Sequence, residues 1–383
     1  MNLRYTLIQA VFWAGYGIIW AFIAPLMEHY GFSGSAIGAV TAAASLFAVV
    51  ISPILAQIIG GSEKLLERHG AVALTLLACA LTALALFSGG NRLVLAVVFL
   101  LLGAIQVAVP PFMNTMGLVA AQAGYGVIYG FSRGIGSVSY AVCTFLLGIL
   151  IERFAPPILL PCYVVSTLIS ALTLATFRHP HEHAAPGAEK GNGIGAFALM
   201  RAYPRFTVTL LACALFYGAH HIYNIYLNSI LARVGANESA MGIALAISAA
   251  VELPAMTFVS KHEKKLSCRR LFLVATAIVL VRLAVYAFAP SAIWIHLVQC
   301  LQFFEYGFFL PATVYYVDRH LPKEAQLQGQ SLIFVASNGL GAAMGSLVGG
   351  VLIDTPLGIH AALLFAAVCA AIALPLFYTC EKE

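Results

Sequence analysis

Four charged residues lie deep inside long apolar runs of this sequence: Arg133, Glu252, Arg282 and Glu305. Almost every other lysine, arginine, aspartate and glutamate falls in a short polar connector. Charged groups are costly inside a lipid bilayer, so they usually face a bundle interior or a water-filled cavity and belong to a substrate or proton pathway. These four side chains are therefore the first candidates for ligand binding and proton transfer.

Composition assigns the chain to a membrane. Of its 383 residues, 61% are hydrophobic and 9% are charged, whereas a soluble domain carries roughly 25% charged residues. Apolar segments of about 20 residues, the length that crosses a bilayer, recur twelve times. The predicted spans are residues 6–29, 35–60, 70–89, 93–119, 129–151, 156–177, 206–231, 238–260, 269–289, 292–318, 327–353 and 358–379.

The positions of lysine and arginine orient these spans. Twelve spans put both termini on one side, and most basic residues lie in connectors on that side, whereas Arg92, Arg153 and Arg233 lie on the other. Basic residues in short connectors favour the cytoplasmic face. We therefore expect a bacterial inner-membrane protein with both termini in the cytoplasm. The formal net charge of +5 follows from this topology and gives no reason to expect nucleic acid as a partner.

One long polar stretch divides the spans six and six. Residues 179–205 contain Ala-Pro-Gly and Gly-Asn-Gly sequences, a composition typical of a flexible linker. The sequence thus predicts an N-terminal six-helix bundle over residues 1–178, a cytoplasmic linker over 179–205 and a C-terminal six-helix bundle over 206–383.

Arrangements typical of an enzyme are missing from the sequence. His179, His181 and His183 could chelate a metal, but a flexible segment with proline rarely preorganises such a site. Gly134 and Gly136 form no dinucleotide fingerprint, because no strand precedes them. No nucleophile–base grouping, metal triad or phosphate loop occurs. We therefore expect no enzymatic activity, no metal and no cofactor.

The seventh span carries a dense set of polar side chains. His220, Tyr223 and Asn224 are three and four residues apart, so they can share one face of a helix. This face could line a cavity, where the tyrosine stacks on a ligand ring and the asparagine hydrogen-bonds it. It could equally make hydrogen bonds between helices without a ligand.

Local sequence matches narrow the fold. Trp-Ala-Gly-Tyr-Gly at 13–17, Val-Glu-Leu-Pro at 251–254 and Pro-Lys-Glu-Ala-Gln-Leu-Gln-Gly-Gln at 322–330 resemble the oligosaccharide, nucleoside and phenylpropionate proton symporter branch of the major facilitator superfamily. The resemblance covers essentially the whole chain. It implies an all-α membrane protein whose 12 transmembrane helices form two six-helix bundles related by an axis along the membrane normal.

Within that branch, the sequence is most similar to the lactose permease type, which implies roles for individual residues. Arg133, in a Gly-Phe-Ser-Arg-Gly-Ile-Gly segment, resembles the fifth-helix sugar-binding arginine, and Tyr140 stands where a stacking aromatic residue would lie. Glu252 resembles the eighth-helix sugar-binding acid. Arg282 and Glu305 match the ninth-helix arginine and the tenth-helix glutamate that carries the proton.

Other polar positions depart from that family pattern. The family's fourth-helix acid appears here as Asn114, and the histidine one turn before its proton-carrying glutamate appears as Gln302. Charges that pair the seventh helix with the tenth and eleventh are replaced by uncharged residues such as Asn224. Because losing both members of an ion pair removes the desolvation cost together with the attraction, the fold is expected to persist. Specificity for galactosides is not implied.

Alternative roles exist for the buried charges. Burial disfavours a charged carboxylate, and Glu305 is flanked in sequence by aromatic residues such as Phe304 and Tyr306, so it could hold a proton near neutral pH and release it as Arg282 approaches. Alternatively, Arg282 forms a permanent ion pair with Glu305 or Glu252 that merely joins helices. Arg133 lies near the start of its span and could extend to the interface instead of binding a ligand.

These observations predict a secondary active transporter that couples protons to symport of a small polyhydroxylated solute, a sugar, glycoside or nucleoside, by alternating access. Its expected partners are that solute, protons and the lipid bilayer, and we expect a monomer. Alternatives are an importer of aromatic acids, a sugar or drug efflux antiporter of the same fold, and a membrane sensor that does not transport. The proton-coupling residues are expected to be Glu305 and Arg282, and the substrate-binding residues Glu252, Arg133, Asn114, Tyr140, His220, Tyr223, Asn224 and Gln302.

Overall fold

The computed structural model describes residues 2–60, 67–177, 195–262 and 265–381. Within these ranges the chain forms helices joined by short turns, with no β-strand. The prediction of an all-α protein is thus confirmed. Residues 178–194, which include the three histidines considered as metal ligands, lie outside the described ranges.

Most helices before residue 178 are long and apolar. In a bilayer, every backbone N–H and C=O group must be paired within the protein, which a helix achieves within a single segment. In chain order these helices are α1 (Asn2–Trp20), α2 (Ile23–His29), α3 (Gly34–Gly60), α4 (Glu67–Phe87), α5 (Arg92–Gln122), α6 (Tyr129–Phe154) and α7 (Leu159–Ala175).

The helices after residue 194 include several short pieces. α8 lies inside the predicted linker 179–205 and buries Leu199, so the end of that segment is folded; the linker boundaries themselves stay a prediction. In chain order the helices are α8 (Ala196–Ala202), α9 (Pro204–Ile225), α10 (Leu227–Arg233), α11 (Glu238–His262), α12 (Cys268–Phe288), α13 (Ala292–Gln299), α14 (Tyr306–His320), α15 (Lys323–Phe334), α16 (Ala342–Ile353) and α17 (Ile359–Tyr378).

The described residues provide twelve membrane spans when two consecutive helices joined by a bend, α1 and α2, are counted as one span. Eleven helical segments are long and apolar enough to cross a bilayer, and α1 with α2 makes a twelfth that bends by 42°. The bend precedes Pro25, which has no N–H and whose ring clashes with the carbonyl group of Ala21 four residues earlier. The prediction of twelve spans is confirmed, and the bent pair corresponds to the predicted first span.

The tenth span is interrupted at Glu305. A 3₁₀ turn over Cys300–Phe303 follows α13, and Glu305, with φ −89° and ψ −92°, precedes α14. Non-helical backbone at membrane depth is tolerated where protein buries it or where it lines a cavity. Glu305 is completely buried, which satisfies this condition. The sequence predicts an uninterrupted span here, so the break is a new feature.

The chain folds into two compact units. Unit 1 consists of Met1–Phe32, Ala43–Glu189 and Met241–Ala249, and unit 2 consists of Ser33–Ala42, Lys190–Ala240 and Ala250–Glu383. The start of α3 therefore belongs to unit 2, and Met241–Ala249 within α11 belongs to unit 1. The boundaries expected from the sequence for the two six-helix bundles, residues 1–178 and 206–383, stay a prediction.

Small residues bring α9 and α16 together within unit 2. A Cβ atom on Gly345 would lie 2.5 Å from the carbonyl oxygen of Gly218, and one on Gly341 would lie 2.6 Å from that of Ala214. Contacts this short are incompatible with any larger side chain. The four-residue glycine spacing therefore serves close helix packing, and this packing holds α9, which carries much of the candidate site.

Asp354, in the connector after α16, binds the first turn of α3 within unit 2. Its Oδ1 accepts a hydrogen bond from the Gly34 N–H and its Oδ2 one from the Ser35 N–H, both at 2.8 Å. The positive end of the helix dipole also stabilises a carboxylate at this position. Hydrogen bonds from the Ser35 side chain and from both N–H groups lower the pKa of Asp354, against an opposing effect of burial.

Replacing Asp354 by Asn is expected to lower stability by about 0.3–1 kcal/mol at neutral pH, because the helix end loses its anion. The lowered pKa means that the carboxylate stabilises the fold above its unfolded-state pKa of about 3.9, and that this contribution disappears as pH falls through the folded-state value. Unfolding midpoints of purified wild type and variant should therefore differ at pH 7 and converge as the pH falls below the folded-state pKa of Asp354. Equal midpoints at pH 7, or an equal effect from the exposed control Glu152→Gln, would contradict this role.

Candidate functional site

A buried ion pair forms the centre of the candidate site in unit 2. Arg282 comes from α12, and Glu305 from the break between α13 and α14; both are completely buried. The guanidinium Nη1 donates a hydrogen bond to Glu305 Oε2. Removing two charges from water is costly and is offset only when their remaining hydrogen-bonding groups are also satisfied. The neighbours of this pair therefore decide whether it is stable.

Arg282 is held by polar side chains on two sides of its planar head group. Nη1 also donates to Gln302 Oε1, while Nη2 donates to Tyr286 Oη at 2.7 Å and to Gln299 Oε1 at 2.5 Å. The guanidinium carbon lies 4.9 Å from the ring centroid of Tyr223, within the range of a cation–π contact. The four Nη hydrogens thus all have acceptors, which fixes the orientation of the charge, whereas the buried Nε has no hydrogen-bond partner among the described residues.

The second oxygen of Glu305 is held by α9. His220 Nδ1 lies 2.5 Å from Glu305 Oε1, and the Tyr223 hydroxyl donates to the same oxygen. His220 Nε2 lies 3.1 Å from Asn224 Nδ2, which also donates to the His220 carbonyl oxygen. Because an amide nitrogen can only donate, Nε2 is the acceptor and Nδ1 carries the proton. As predicted, His220, Tyr223 and Asn224 share one helical face.

Gln302 joins the ion pair to Glu252. Its Oε1 accepts from Arg282, so its Nε2 is left to donate, and it does so to Glu252 Oε1 at 2.9 Å. Gln302 is buried in the 3₁₀ turn, whereas Glu252 in α11 is half-buried. The positive guanidinium thus fixes the direction of the amide. A continuous chain of hydrogen bonds connects Glu252 through Gln302 and Arg282 to Glu305.

A second polar and aromatic group surrounds Arg133 in unit 1. The Arg133 guanidinium carbon lies 4.0 Å from the ring centroid of Trp13, and Nη1 donates to Ser137 Oγ at 3.0 Å. Trp13 is oriented by its Nε1, which donates to Gln9 Oε1 at 2.9 Å. A Cβ atom on Gly136 would lie 2.5 Å from Trp13 Cδ1, so only glycine leaves room for this indole. Arg133 therefore packs on an aromatic face, and its side chain is half-buried.

Tyr140 and Asn114 also belong to unit 1. The Tyr140 ring centroid lies 6.4 Å from that of Tyr16, which lies 5.3 Å from that of Trp13. Asn114, in α5, is half-buried. Trp13, Tyr16 and Tyr140 thus form an aromatic series next to Arg133, a combination that suits ring stacking and hydrogen bonding of a ligand.

Comparison with known proteins identifies the family. The model of the MFS_1-like family matches residues 3–365. The chain belongs to this family. It is 26% identical to the maltose permease of Geobacillus stearothermophilus over 90% of this chain and 85% of that protein. It is 22% identical to the uncharacterized transporter YwbF of Bacillus subtilis strain 168, over 87% and 82% of the two chains.

Solved structures show the same fold. The nucleoside transporter NupG has a TM-score of 0.82 at 16% identity, over 99% of this chain and 98% of that one. A bacterial homologue of the human lysosomal transporter Spinster has a TM-score of 0.74 at 14% identity, over 99% and 96%. These likenesses confirm the major facilitator fold, and this MFS_1-like protein is an integral membrane transporter.

The structure of this MFS_1-like protein gathers most of the predicted site residues into one network. Within unit 2 they are Glu305, Arg282, Glu252, Gln302, His220, Tyr223 and Asn224. Within unit 1 they are Arg133, Asn114 and Tyr140, of which Arg133 and Tyr140 flank the aromatic series. Their roles in transport remain predictions, but the residues the sequence singled out for unit 2 do lie together.

The environment of Glu305 differs from the sequence expectation. Its aromatic neighbours in the chain, such as Phe304 and Phe308, pack against one another, while the carboxylate itself contacts Arg282 and His220. The expectation of an apolar surrounding is therefore corrected.

Sequence reasoning missed the residues that hold the two arginines. Tyr286 follows Arg282 by four positions and Ser137 follows Arg133 by four, the spacing that places side chains next to each other on a helix. That signal was present in the sequence. In contrast, the contribution of Gln299 depends on the path of the interrupted span and had no local signal. In residues 2–60, 67–177, 195–262 and 265–381, no group of three or more His, Cys, Asp or Glu could hold a metal ion.

Proposed function

We propose that this transporter is a proton-coupled symporter of a small polyhydroxylated solute, a sugar, glycoside or nucleoside, working by alternating access. The observation that carries the proposal is the hydrogen-bonded chain from the half-buried Glu252 to the fully buried Arg282–Glu305 pair and His220. It connects an acid that a solute can reach with groups that can exchange a proton. Such intramembrane charges usually belong to transport pathways.

Proton coupling follows from competition for Arg282. A proton placed on Glu305 removes the negative charge with which the guanidinium is paired. The guanidinium is then attracted by the remaining carboxylate at Glu252, which it already reaches through Gln302. Return of Arg282 to Glu305 expels the proton, because the ionised carboxylate is favoured by a nearby cation. Proton binding and the charge available to a solute at Glu252 are therefore linked.

The proposed substrate class follows from the donors and acceptors present. Glu252 offers acceptor oxygens for hydroxyl groups, and Asn224 offers an amide. In unit 1, Arg133 offers donors, with Tyr140 for stacking on a ring. A maltose permease among the relatives and a nucleoside transporter among the similar structures support the same class. Asn114, His220, Tyr223 and Gln302 complete the proposed binding residues.

The cellular setting belongs to the same proposal. We place the protein in the inner membrane of a bacterium as a monomer, with both termini in the cytoplasm. The distribution of basic residues supports the orientation, and the two relatives come from bacteria. Labelling cysteines introduced near each terminus with an impermeant reagent, in intact and in lysed cells, tests the topology.

Replacing Glu305 by Gln is expected to abolish solute accumulation driven by a pH gradient, because an amide neither binds nor releases a proton. Purified protein in liposomes, acidic outside, is assayed for uptake of radiolabelled maltose, uridine and an aromatic acid. We expect wild type to accumulate either maltose or uridine. In the variant, the accumulated amount of that solute should be at least about tenfold lower, a factor equivalent to about 1.4 kcal/mol.

The matched control is Glu152→Gln, which removes an exposed carboxylate at the end of α6 and should leave accumulation unchanged. Accumulation by Glu305→Gln that equals wild type, or that persists without a pH gradient, would contradict proton coupling. Accumulation of the aromatic acid alone would contradict the proposed substrate class while keeping the coupling.

A further inference from the structure

A buried chain of hydrogen bonds in unit 1 ends at the indole that supports Arg133. The Tyr5 hydroxyl donates to the carbonyl oxygen of Met113 at 3.1 Å, and Gln9 Nε2 donates to the Tyr5 oxygen at 2.8 Å. Gln9 Oε1 in turn accepts from Trp13 Nε1 at 2.9 Å. Tyr5 and Gln9 are completely buried. The chain therefore runs from the backbone of α5 through α1 to an aromatic face.

The chain can be donated along in one direction only. A backbone carbonyl group can only accept, so the Tyr5 hydroxyl hydrogen is committed to Met113. An indole N–H can only donate, so the Gln9 amide presents its oxygen to Trp13 and its nitrogen to Tyr5. The orientation of the Gln9 amide is thus fixed from both ends.

Glycines make room for the aromatic rings at both ends of the chain. A Cβ atom on Gly117 in α5 would collide with the Tyr5 ring, and one on Gly136 in α6 would lie 2.5 Å from Trp13 Cδ1. Larger side chains at these positions would displace the rings. α1 is therefore held closely between α5 and α6, with one ring of the chain against each.

We propose that Gln9 is a positioning residue for Arg133 and acts through Trp13. The inference rests on the proposed function, in which Arg133 binds solute. The Arg133 guanidinium carbon lies 4.0 Å from the centroid of the Trp13 ring, and a cation is attracted to an indole only over its face. The bond from Nε1 to Gln9 prevents rotation of that face, because a buried donor that loses its acceptor is costly.

The same chain connects two of the proposed binding residues. Met113, which accepts the last hydrogen bond, directly precedes Asn114 in α5, and Arg133 lies in α6. Gln9 in α1 thus holds the guanidinium at a set distance from the helix that carries the amide. Because this spacing matters when solute binds, we expect Gln9 to affect solute affinity more than the maximal transport rate.

Fluorescence of Trp13 tests the positioning without any solute. The chain has three tryptophans, so the background Trp20→Phe with Trp294→Phe leaves Trp13 as the single reporter. Arg133→Gln removes the cation from the indole face and should shift the emission. With Gln9→Met added, the same change should have no effect, because the indole no longer faces the guanidinium. An equal shift with and without Gln9→Met, or no shift in either, would overturn the proposal.

Transport kinetics test the consequence for the solute. Gln9→Met keeps the length of the side chain but removes the amide, and the Thr6–Ser132 hydroxyl contact at 2.8 Å still joins α1 to α6. We expect KM to rise about 3- to 10-fold, the factor for one hydrogen bond, with the maximal rate near wild type. In the background Trp13→Phe, which has no N–H to lose, Gln9→Met should raise KM no further.

The kinetic assay is counterflow of whichever probe wild type carries: maltose, uridine or the aromatic acid. Counterflow needs no proton gradient, so failure of the proposed coupling leaves this test intact, and the fluorescence test needs no transport at all. Gln106→Met is the matched control, because Gln106 is a buried glutamine of unit 1 whose Nε2 donates to the Tyr163 hydroxyl at 2.6 Å. It should leave KM unchanged. An unchanged KM in Gln9→Met, or an equal rise with Gln106→Met or in the Trp13→Phe background, would show that Gln9 serves packing alone.

Discussion

Replacing Arg282 by Gln is expected to destabilise the protein by about 3–5 kcal/mol and to abolish uptake, the largest effect of any single substitution considered. The physical reason is that the change leaves Glu305 completely buried without its counter-ion, and an uncompensated buried charge carries a penalty of this size. Thermal unfolding of the purified protein and uptake by liposomes measure the two effects.

The double variant Arg282→Gln with Glu305→Gln is the informative control. Removing both charges removes the desolvation cost together with the attraction, so stability should recover most of the loss. Uptake driven by a pH gradient should stay absent, because neither residue can then respond to a proton. Arg153→Gln, an exposed charge at the end of α6, should behave as wild type. A double variant as unstable as the single one would show that the ion pair is not the source of the effect.

Replacing Gln302 by Leu is expected to reduce uptake about 10- to 100-fold while the protein stays folded. The change cuts the hydrogen bonds to Arg282 and to Glu252, and a bond to a charged group contributes about 1.5–3 kcal/mol, each 1.4 kcal/mol being tenfold. The half-buried acid is then disconnected from the ion pair. Initial uptake rates over a range of solute concentrations measure the effect.

Gln302→His is the matched control for this bridge. A neutral imidazole has one acceptor nitrogen and one donor nitrogen, so it can accept from Arg282 and donate to Glu252 as the amide does. We expect it to retain most of the uptake that the leucine variant loses. Wild-type uptake by Gln302→Leu would show that Glu252 and Arg282 act separately, and equal loss in both variants would indicate a requirement for the amide itself.

Much of the architecture could be predicted because the constraints that a bilayer places on a membrane span act within one short segment of sequence. A span needs about 20 apolar residues, and each helix pairs its own backbone N–H and C=O groups. The twelve spans therefore follow from the positions of the apolar runs along the sequence. The same reasoning singled out Arg133, Glu252, Arg282 and Glu305, since a charge in an apolar run stands out without knowledge of its neighbours. The shared face of His220 and Asn224 likewise follows from helix periodicity.

Other features depend on contacts between residues far apart in the chain. Glu305 meets His220 although the two are 85 positions apart, and no local pattern specifies that meeting. The helix break at Glu305 also lies in a run that is apolar enough to form a continuous span. The role of Gln302 as a bridge also depends on distant residues. Its amide orientation is set by the groups that contact its oxygen and its nitrogen, Arg282 and Glu252.

Local composition therefore settles that this chain is a twelve-span membrane protein with a few buried charges, because hydropathy and helix spacing are properties of short segments. Partner choice among those charges and the hydrogen-bond chain from Glu252 to Glu305 arise from folding. The physical reason is that the free energy of a buried polar group depends on which donors and acceptors surround it, and helix packing supplies those from distant parts of the chain.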